Sequence, residues 1–253
     1  MTRASATPRL NRIERLSEGG CDLVRRYWAA DVVAGSLGAD RLVELTAHRM
    51  AASAGLAPRV LGVDMDVGWM SMPFIEGARL GADWWWHERS TAPVLGLLEV
   101  LRTLPAEPLP VVHLADRSSH LQRRLAEVAP EVAQRWERPL ERCAREWESE
   151  QELAPLKLDC FVHGDVSTDN LLCQSDGRLM LLDFEYAHRG HRLEDLAGVV
   201  VSGAVEPRRW VSWVPRRDQA LFATLVRTRT LLDGLWTDLA WALTGNAATA
   251  RAH

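Results

Sequence analysis

The chain has little lysine: Lys157 is the only one among 30 basic residues in a total of 253. A Walker A phosphate-binding loop requires a Gly-Lys-Ser/Thr sequence, so this class of nucleotide site is excluded. A net charge of −4 and a pI near 6.1 provide no basic surface for nucleic acid or for an anionic membrane. The sequence therefore predicts neither partner, and arginine supplies nearly all of the positive charge.

Cysteine and long apolar runs are also scarce. The 4 cysteines are far apart and form no Cys-x-x-Cys motif, which predicts thiols in a reducing cytoplasm rather than disulfides or a zinc site. The start, "MTRASATPRLNRIERL", has no apolar stretch of the kind found in signal peptides. The longest apolar run, "LAGVVVSGAV", is too short to span a bilayer. We expect a cytoplasmic protein that does not enter a membrane.

The first 77 residues predict a small sheet with one helix. "RIERLSEGG" and "DLVRRYW" are typical of two strands around Gly19-Gly20, and "VVAGSL" is a candidate for a third. From Asp40 the apolar residues follow helical spacing, and the helix is expected to stop at Gly55. "PRVLGVDMDVGWMSMPFIEG" then predicts two more strands around Gly68.

The remainder predicts mostly helix, so the fold class is α+β. Between residues 121 and 147 apolar side chains recur every three or four positions, the stripe of an amphipathic helix. Pro130 and Pro139 are expected to divide this stripe, because an interior proline disrupts helical hydrogen bonding. "LLCQSDGRLMLLD" predicts a hairpin with Asp176-Gly177 at its turn. Residues 193–245 are again expected to be helical.

The segment "HGDVSTDN", residues 163–170, collects polar groups between two apolar stretches. Asn170 follows Asp165 by five positions, and the hairpin should fold Asp183 of "LLDFEYA" back beside Asn170. Magnesium prefers oxygen ligands of this kind. Phosphoryl transfer combines such a metal site with a carboxylate that orients the acceptor hydroxyl. The pattern therefore predicts phosphoryl-transfer chemistry.

The same residues resemble a known family. An H-x-D-x-x-x-x-N loop followed by Asp-Phe is similar to the protein-kinase fold. The glycine after the histidine and "DFEYA" resemble the aminoglycoside phosphotransferase and choline kinase superfamily. "LLDFEYAHRGHRLEDLA" and "RTRTLLDGLWTDLAWALTG" resemble its choline, ethanolamine and thiamine kinase branch.

The resemblance implies a protein-kinase-like two-lobe fold. A small, reduced N-terminal β-sheet lobe, residues 1–77, would bind nucleotide and end in a hinge. A larger, mostly helical C-terminal lobe, residues 78–253, would carry the catalytic loop and the acceptor pocket. The implied activity is ATP- and magnesium-dependent phosphorylation of a hydroxyl on a small, cationic substrate of the choline, ethanolamine or thiamine type.

The resemblance also implies roles for individual residues. Asp165 would be the catalytic residue, and Asn170 and Asp183 the magnesium ligands. The residues implied to bind the ATP cofactor are Arg25, Glu44, Met72, Phe74 and Ile75, the last three through the hinge backbone. The residues implied to bind the acceptor substrate are Glu185, Trp236 and Trp241.

Two of these roles stay open in the sequence. Glu185 equally fits assistance to the metal and contact with a cationic substrate. Trp236 and Trp241 are five residues apart, which places them about 140° apart on a regular helix. We therefore expect one of them to face the ligand, where an indole can hold a cation, and the other to face the core.

The sequence departs from the kinase pattern at the phosphate-binding lysine. Kinases of this fold pair a strand lysine with a helix glutamate, and Glu44 is the candidate glutamate. If "DLVRR" is that strand, Arg25, or failing it Arg26, takes the place of the lysine. If "VVAGSL" is that strand, the position is Ala34 or Gly35 and the contact is missing.

Three functions are consistent with these features. The first is a kinase of a small cationic molecule, and the second is an aminoglycoside or sugar kinase. The third is a pseudokinase, a binding module in which the missing lysine weakens the hold on nucleotide.

Overall fold

A computed structural model describes residues 10–80, 88–153, 156–203, 205 and 207–245. The N-terminal part contains a four-stranded antiparallel sheet in the order β1-β2-β4-β3 and two helices. These elements are β1 (Arg12–Glu18), β2 (Cys21–Tyr27), α1 (Asp31–Ser36), α2 (Arg41–Ser53), β3 (Gly62–Asp64) and β4 (Trp69–Pro73). Together with the larger helical part described below, they form the predicted α+β, two-lobe architecture.

Helix α2 packs on one face of this sheet. Asp40 caps its first turn, because the carboxylate accepts hydrogen bonds from the backbone N–H groups of Leu42 (2.8 Å) and Val43 (3.1 Å). Gly55, with φ of +75°, follows its end. The sheet and helix share a small apolar cluster, whose buried members are Trp28, Leu45, Met70 and Met72. The prediction of this helix is confirmed.

The C-terminal part is built around the long helix α8. Its helices are α3 (Glu88–Arg102), α4 (Leu114–Val128), α5 (Pro130–Leu153), α6 (Glu194–Ser202), α7 (Pro207–Trp210) and α8 (Gln219–Leu243). Helix α8 packs against α4, α5 and α6. Its contact with α5 is close at Gly234, where an added Cβ would lie 2.2 Å from the ring of Trp136. The main hydrophobic core fills the space among these helices.

Short strands support the loops of this part. Strand β6 (Cys160–Val162) pairs with β9 (His188–Gly190), and β5 (Ala78–Arg79) pairs with β7 (Leu171–Cys173). Strand β7 also pairs with β8 (Leu179–Leu181), so the predicted hairpin is confirmed. The residues just outside the hairpin remain joined, because the N–H of Leu182 donates to the carbonyl of Asn170 at 2.9 Å. The residue that precedes Asp183 is therefore hydrogen-bonded to Asn170, the last residue of the "HGDVSTDN" loop.

Two predictions about secondary structure are wrong. "VVAGSL" lies in helix α1 instead of a strand. Asp31 occupies the first turn of α1 and pairs with Arg41, while Arg124 of α4 donates to the Ser36 hydroxyl at 3.0 Å. Pro139 lies inside the continuous helix α5, so only Pro130 marks a division. The apolar face of α5 stays continuous across Pro139, which keeps it packed on α8.

Within the part of the chain that the structure describes, no helix has both the length and the apolar character needed to span a membrane.

Candidate active site

The loop after β6 is fixed by its own polar side chains. Asp195, near the start of α6, accepts hydrogen bonds from the backbone N–H groups of His163 and Gly164, each at 2.9 Å. His163 is fully buried and its Nε2 lies 3.0 Å from the carbonyl oxygen of Leu182. The same ring accepts the N–H of Asp165 through Nδ1 at 3.2 Å. His163 and Asp195 thus hold the loop in place.

Gly164 is required where this loop passes the segment after Asp183. Its φ is +80°, and an added Cβ would lie 2.3 Å from the carbonyl oxygen of Tyr186. A side chain therefore cannot be accommodated without separating the two segments. The glycine between His163 and Asp165 permits this close approach.

Asp165, the predicted catalytic residue, has both carboxylate oxygens oriented by neighbours. Its Oδ1 accepts from Nη2 of Arg229 on α8 at 2.6 Å, and its Oδ2 accepts from Nδ2 of Asn170 at 2.8 Å. Arg229 also pairs with Asp233 one helical turn later, with Nε and Oδ1 2.7 Å apart. The carboxylate of Asp165 is therefore held between the loop and the C-terminal helix.

Asp183 is held from the other lobe by Arg26 of β2. Nη1 and Nη2 of Arg26 donate to the two carboxylate oxygens of Asp183 at 2.9 and 2.5 Å. The Nε of Arg26 lies 2.8 Å from Oε1 of Glu44 on α2, and Nη2 lies 3.2 Å from Oε2 of Glu185. Asp183 itself has a φ of 66°, unusual for a residue other than glycine. The guanidinium of Arg26 thus joins β2, α2 and the loop that contains Asp183.

The Arg26 cluster, comprising Arg26, Glu44, Asp183 and Glu185, contains one cation and three carboxyl groups. Burial raises the pKa of Glu185 to about 8, and the charge of Asp183 adds to this effect. Burial likewise raises the pKa of Glu44 to about 7, although Arg26 and the Trp28 N–H oppose it. Burial lowers the pKa of Arg26, but the three carboxylates outweigh it and raise the pKa overall. Burial therefore favours the protonated forms of Glu44 and Glu185, so that the cluster limits its negative charge around Arg26.

These pKa values predict a fall in stability with rising pH. The folded protein retains protons on Glu44 and Glu185 that the unfolded chain releases near pH 4.5. The free energy of unfolding should therefore decrease as the pH rises from about 4.5 to about 8, by at most about 1.4 kcal/mol per pH unit for each proton, and level off above the folded-state pKa values. Thermal unfolding at constant ionic strength measures this slope. Glu185→Gln, which cannot ionise, should flatten it, and an equal slope in this variant would contradict the assignment.

Asn170 and Asp183 fit a magnesium site in which the nucleotide would supply further ligands. Within the described residues, no group of three or more His, Cys, Asp or Glu side chains is arranged to hold a metal ion. Asn170 uses its Nδ2 for Asp165, so its amide oxygen is free to act as a ligand. The Asp183 side chain is 25% exposed, and each carboxylate oxygen has a lone pair beyond the one used by Arg26. These two residues therefore suit a metal that also binds phosphate and water.

Arg26, and not Arg25, lies opposite Glu44, so the prediction that Arg25 replaces the kinase lysine is wrong. Arg25 points to the other face of β2, where its Nη2 donates to Glu18 at 3.0 Å and its guanidinium lies over the ring of Trp69. Successive strand residues face opposite sides, and only one of the two arginines can reach Glu44.

The predicted hinge residues follow strand β4. Met72 lies in β4, with its side chain in the small apolar cluster. The N–H of Phe74 donates to the carbonyl of Asp22 at 2.9 Å, so this group is not free to bind adenine. Ile75 lies just beyond the strand and is partly exposed. Contact of Met72 and Ile75 with adenine stays a prediction.

One of the three predicted substrate residues, Trp236, contacts the residue that follows Glu185. Trp236 of α8 donates from Nε1 to the hydroxyl of Tyr186 at 2.5 Å, and Glu185 is the neighbouring residue. Glu185 also accepts from Nδ2 of Asn11 at 2.7 Å. Trp241 is partly buried further along α8, and within the described residues its side chain makes no hydrogen bond to this group.

Several residues of the site were not predicted. They are Asn11, Arg117, Tyr186, Arg229 and Asp233. Two of them, Arg229 and Asp233, could have been found from the sequence. They lie seven and three positions before Trp236 on the same helix, which is the i, i+4, i+7 spacing of one helical face. Such residues lie on one face. Trp236, one of the two tryptophans considered for the ligand-facing position, therefore shares its face with Arg229 and Asp233.

A comparison with family models assigns the chain. The model described as "Phosphotransferase enzyme family" (APH) matches residues 37–242, which is more than half of the chain. The chain belongs to the APH phosphotransferase enzyme family. No curated protein matches the sequence. Membership supports a small-molecule kinase or phosphotransferase, in agreement with the resemblance seen in the sequence.

Solved structures of related kinases share the fold. A choline/ethanolamine kinase family protein from Mesorhizobium loti matches with a TM-score of 0.65 and 21% identity, covering 99% of this chain and 89% of that chain. Plasmodium vivax ethanolamine kinase matches with a TM-score of 0.73 and 13% identity, covering 93% and 74%. A thermostable mutant of aminoglycoside phosphotransferase APH(4)-Ia, in complex with ADP and hygromycin B, matches with a TM-score of 0.61 and 17% identity, covering 97% and 89%.

Proposed function

We propose that this phosphotransferase moves the γ-phosphoryl group of ATP, with magnesium, to the hydroxyl of a small acceptor molecule. The observation that supports this most is that the loop residues Asp165, Asn170 and Asp183 lie against the Arg26–Glu44 pair through Asp183. Asp165 and Asn170 are hydrogen-bonded in one loop, and Asp183 faces the Arg26–Glu44 pair of the other lobe. In this proposal residues 1–77 bind nucleotide, and residues 78–253 carry the catalytic loop and the acceptor pocket.

Asp165 orients the acceptor hydroxyl. Arg229 and Asn170 each hold one carboxylate oxygen, which fixes the direction in which the remaining lone pairs point. The acceptor oxygen forms a bond to the γ-phosphorus, and the bond from that phosphorus to the β–γ bridging oxygen breaks. ADP leaves, and the hydroxyl proton passes to Asp165.

Arg26 holds the phosphates in place of a lysine. Glu44 fixes its Nε, so the two terminal nitrogens can present a planar fork to phosphate oxygens. These nitrogens contact Asp183 and Glu185 in the structure. Binding of ATP therefore requires Arg26 to exchange part of its carboxylate contacts for phosphate contacts. The ADP complex of the aminoglycoside phosphotransferase is consistent with a nucleotide site in this fold.

Asn170 and Asp183 are the proposed magnesium ligands. Magnesium, when bound there, would neutralise charge on the ATP phosphates. A divalent cation bound there would favour the ionised forms of the carboxyl groups in the Arg26 cluster. Glu185 is one of these groups and makes no direct metal contact in our proposal.

The proposed acceptor is a small cationic molecule of the choline, ethanolamine or thiamine type. Asp40, Asp116 and Glu185 are among the residues that line a cleft beside the Arg26 cluster. Trp236, which contacts Tyr186 beside this cleft, is the proposed acceptor-facing tryptophan. In this proposal Trp241 contributes to packing and does not contact the acceptor. An aminoglycoside is the second candidate, because the same carboxylates suit its amino groups.

The function is tested by thermal unfolding with ATP, with and without magnesium. At 100 times its dissociation constant a ligand stabilises the folded state by about 2.7 kcal/mol. We expect ATP to stabilise the protein strongly only with magnesium, and a screen of hydroxylated compounds to release ADP. Stabilisation without ADP release from any compound would instead identify a pseudokinase. Absence of both effects would refute the nucleotide site.

A further inference from the structure

A cleft of about 320 Å³ lies beside the Arg26 cluster. Its walls come from the segment after Asp183, from α4 and from the loops around α1. Residues that line it include Gly38, Val112, Asp116, Arg117, Glu185 and Tyr186. The volume is at the lower end of the range for small-molecule sites. The cleft is therefore suited to a ligand of the size of an amino acid or a small sugar.

Arg117 is the one arginine of this cleft wall, and its charge has no ionic partner among the described residues. Its guanidinium carbon lies 4.3 Å from the centre of the Tyr186 ring. Within the described part of the chain, no carboxylate or carbonyl accepts a hydrogen bond from this guanidinium. Burial lowers its pKa, and the nearby charge of Arg229 acts in the same direction. The partly buried Arg117 guanidinium thus lines a cleft and has no anionic partner among the described residues.

The two other arginines of the site differ in this respect. Arg26 contacts three carboxylates, and Arg229 contacts the carboxylates of Asp165 and Asp233. A guanidinium with five N–H donors is suited to bind carboxylate or phosphate in a planar, bidentate arrangement. The cation position on the Tyr186 ring is already occupied by Arg117, so this ring does not serve as a cage for a cationic acceptor.

The position of Arg117 places it near the proposed transfer chemistry. Its charge interacts with those of Asp165, Asp233 and Arg229. Tyr186, which it covers, follows Glu185 and receives the Trp236 hydrogen bond. A small molecule that occupies the cleft and directs an anionic group to Arg117 therefore lies close enough to the catalytic loop for the charge of Asp165 to act on the same region.

The geometry points to Arg117 as a binding site for an acidic group, a carboxylate or a phosphate, on the acceptor. This inference rests on the proposed function and narrows it: the acceptor carries an anionic group as well as its hydroxyl. If it also carries the cationic group that Glu185 and Asp116 suit, it is zwitterionic. Choline and ethanolamine, which have no anionic group, then bind as incomplete analogues.

Matched acceptor pairs test this inference through ADP release. Ethanolamine and serine, 3-aminopropanol and homoserine, and ethylene glycol and glycerate each differ by one carboxylate. Glycerol and glycerol phosphate differ by a phosphate. We expect kcat/KM to favour the acidic member by about tenfold or more, the effect of one charge-assisted hydrogen bond. In Arg117→Met the ratio should fall to about one, with the KM for ATP unchanged. The last two pairs distinguish carboxylate from phosphate.

Arg123→Met is the matched control, because Arg123 is exposed on the same helix α4. Arg117→Lys, which retains the charge, should retain part of the preference. Preference for the neutral member of each pair in the unmodified protein would overturn the inference. So would an acidic preference of equal size in Arg117→Met and Arg123→Met.

A binding measurement separates this inference from the proposed function. Inorganic phosphate, added without nucleotide, should raise the unfolding temperature of the unmodified protein and of Arg123→Met by more than that of Arg117→Met, because phosphate at Arg26 would stabilise all three proteins alike. This result would support an anion site at Arg117 even if no phosphoryl transfer is found. Equal stabilisation of all three proteins, or of none, would refute the anion site even if transfer to a neutral acceptor is found.

Discussion

Asp165→Asn is expected to lower kcat by about 10²- to 10⁴-fold, the usual contribution of a general base. ATP affinity should be unchanged, because Asp165 contacts Arg229 and Asn170 of its own lobe and not the Arg26 cluster. Asparagine keeps the volume and an acceptor oxygen but cannot take the proton of the acceptor hydroxyl. Steady-state ADP release measures kcat, and calorimetry with a non-hydrolysable ATP analogue measures affinity.

The fold should tolerate this replacement. Arg229 keeps its ion pair with Asp233 when the Asp165 charge is removed. Asp169→Asn is the matched control, since Asp169 is an exposed aspartate of the same loop. The control should turn over at the unmodified rate. A normal kcat in Asp165→Asn, or an equal loss in both variants, would contradict the assignment of Asp165.

The central loop could be predicted from the sequence because its geometry is local. Asp165 and Asn170 lie five positions apart, and one tight hairpin separates Asn170 from Asp183. The pairing of two three-residue strands then determines where Asp183 lies. No contact between distant parts of the chain has to be inferred for this step.

The choice between Arg25 and Arg26 depended on which face of β2 is buried. Leu23 and Tyr27 accompany Arg25 on one face, whereas Val24 and Trp28 accompany Arg26 on the other. Both faces contain apolar residues, so alternation alone does not identify the inner one. The contact of Trp28 and Val24 with α2 and β4 decides it, and that contact is tertiary.

Helix α1 and the arginines of the C-terminal lobe are harder to predict from the sequence than the central loop. The run "VVAGSL" is short and rich in valine, and such a run is compatible with strand and helix alike. Docking of α4 on its last turn, through Arg124, accompanies the helical form. Arg117 and Arg229 lie on separate helices, and only packing of α4 against α8 brings them near Asp165.

Arg26→Met is expected to weaken binding of magnesium-ATP by about 10²-fold, the order that two charge-assisted hydrogen bonds supply. Methionine fills much of the same space but provides no donor for phosphate. Arg26→Lys keeps the charge but loses the planar fork, so we expect an intermediate affinity. Arg25→Met is the matched control, because Arg25 lies on the same strand but contacts Glu18 on the opposite face. Calorimetry with a non-hydrolysable analogue compares the variants.

Loss of Arg26 also leaves the three carboxyl groups of its cluster without a cation. Removal of one partner from a buried ion pair destabilises a protein by about 3 to 5 kcal/mol, so stability has to be separated from affinity. The double variant Arg26→Met/Glu44→Gln removes one of the unpaired charges, and it is compared with Glu44→Gln alone. Weaker nucleotide binding in the folded double variant supports the role of Arg26. Equal affinity in the two would show that Arg26 serves the fold and not the phosphates, in which case the pseudokinase becomes the better description.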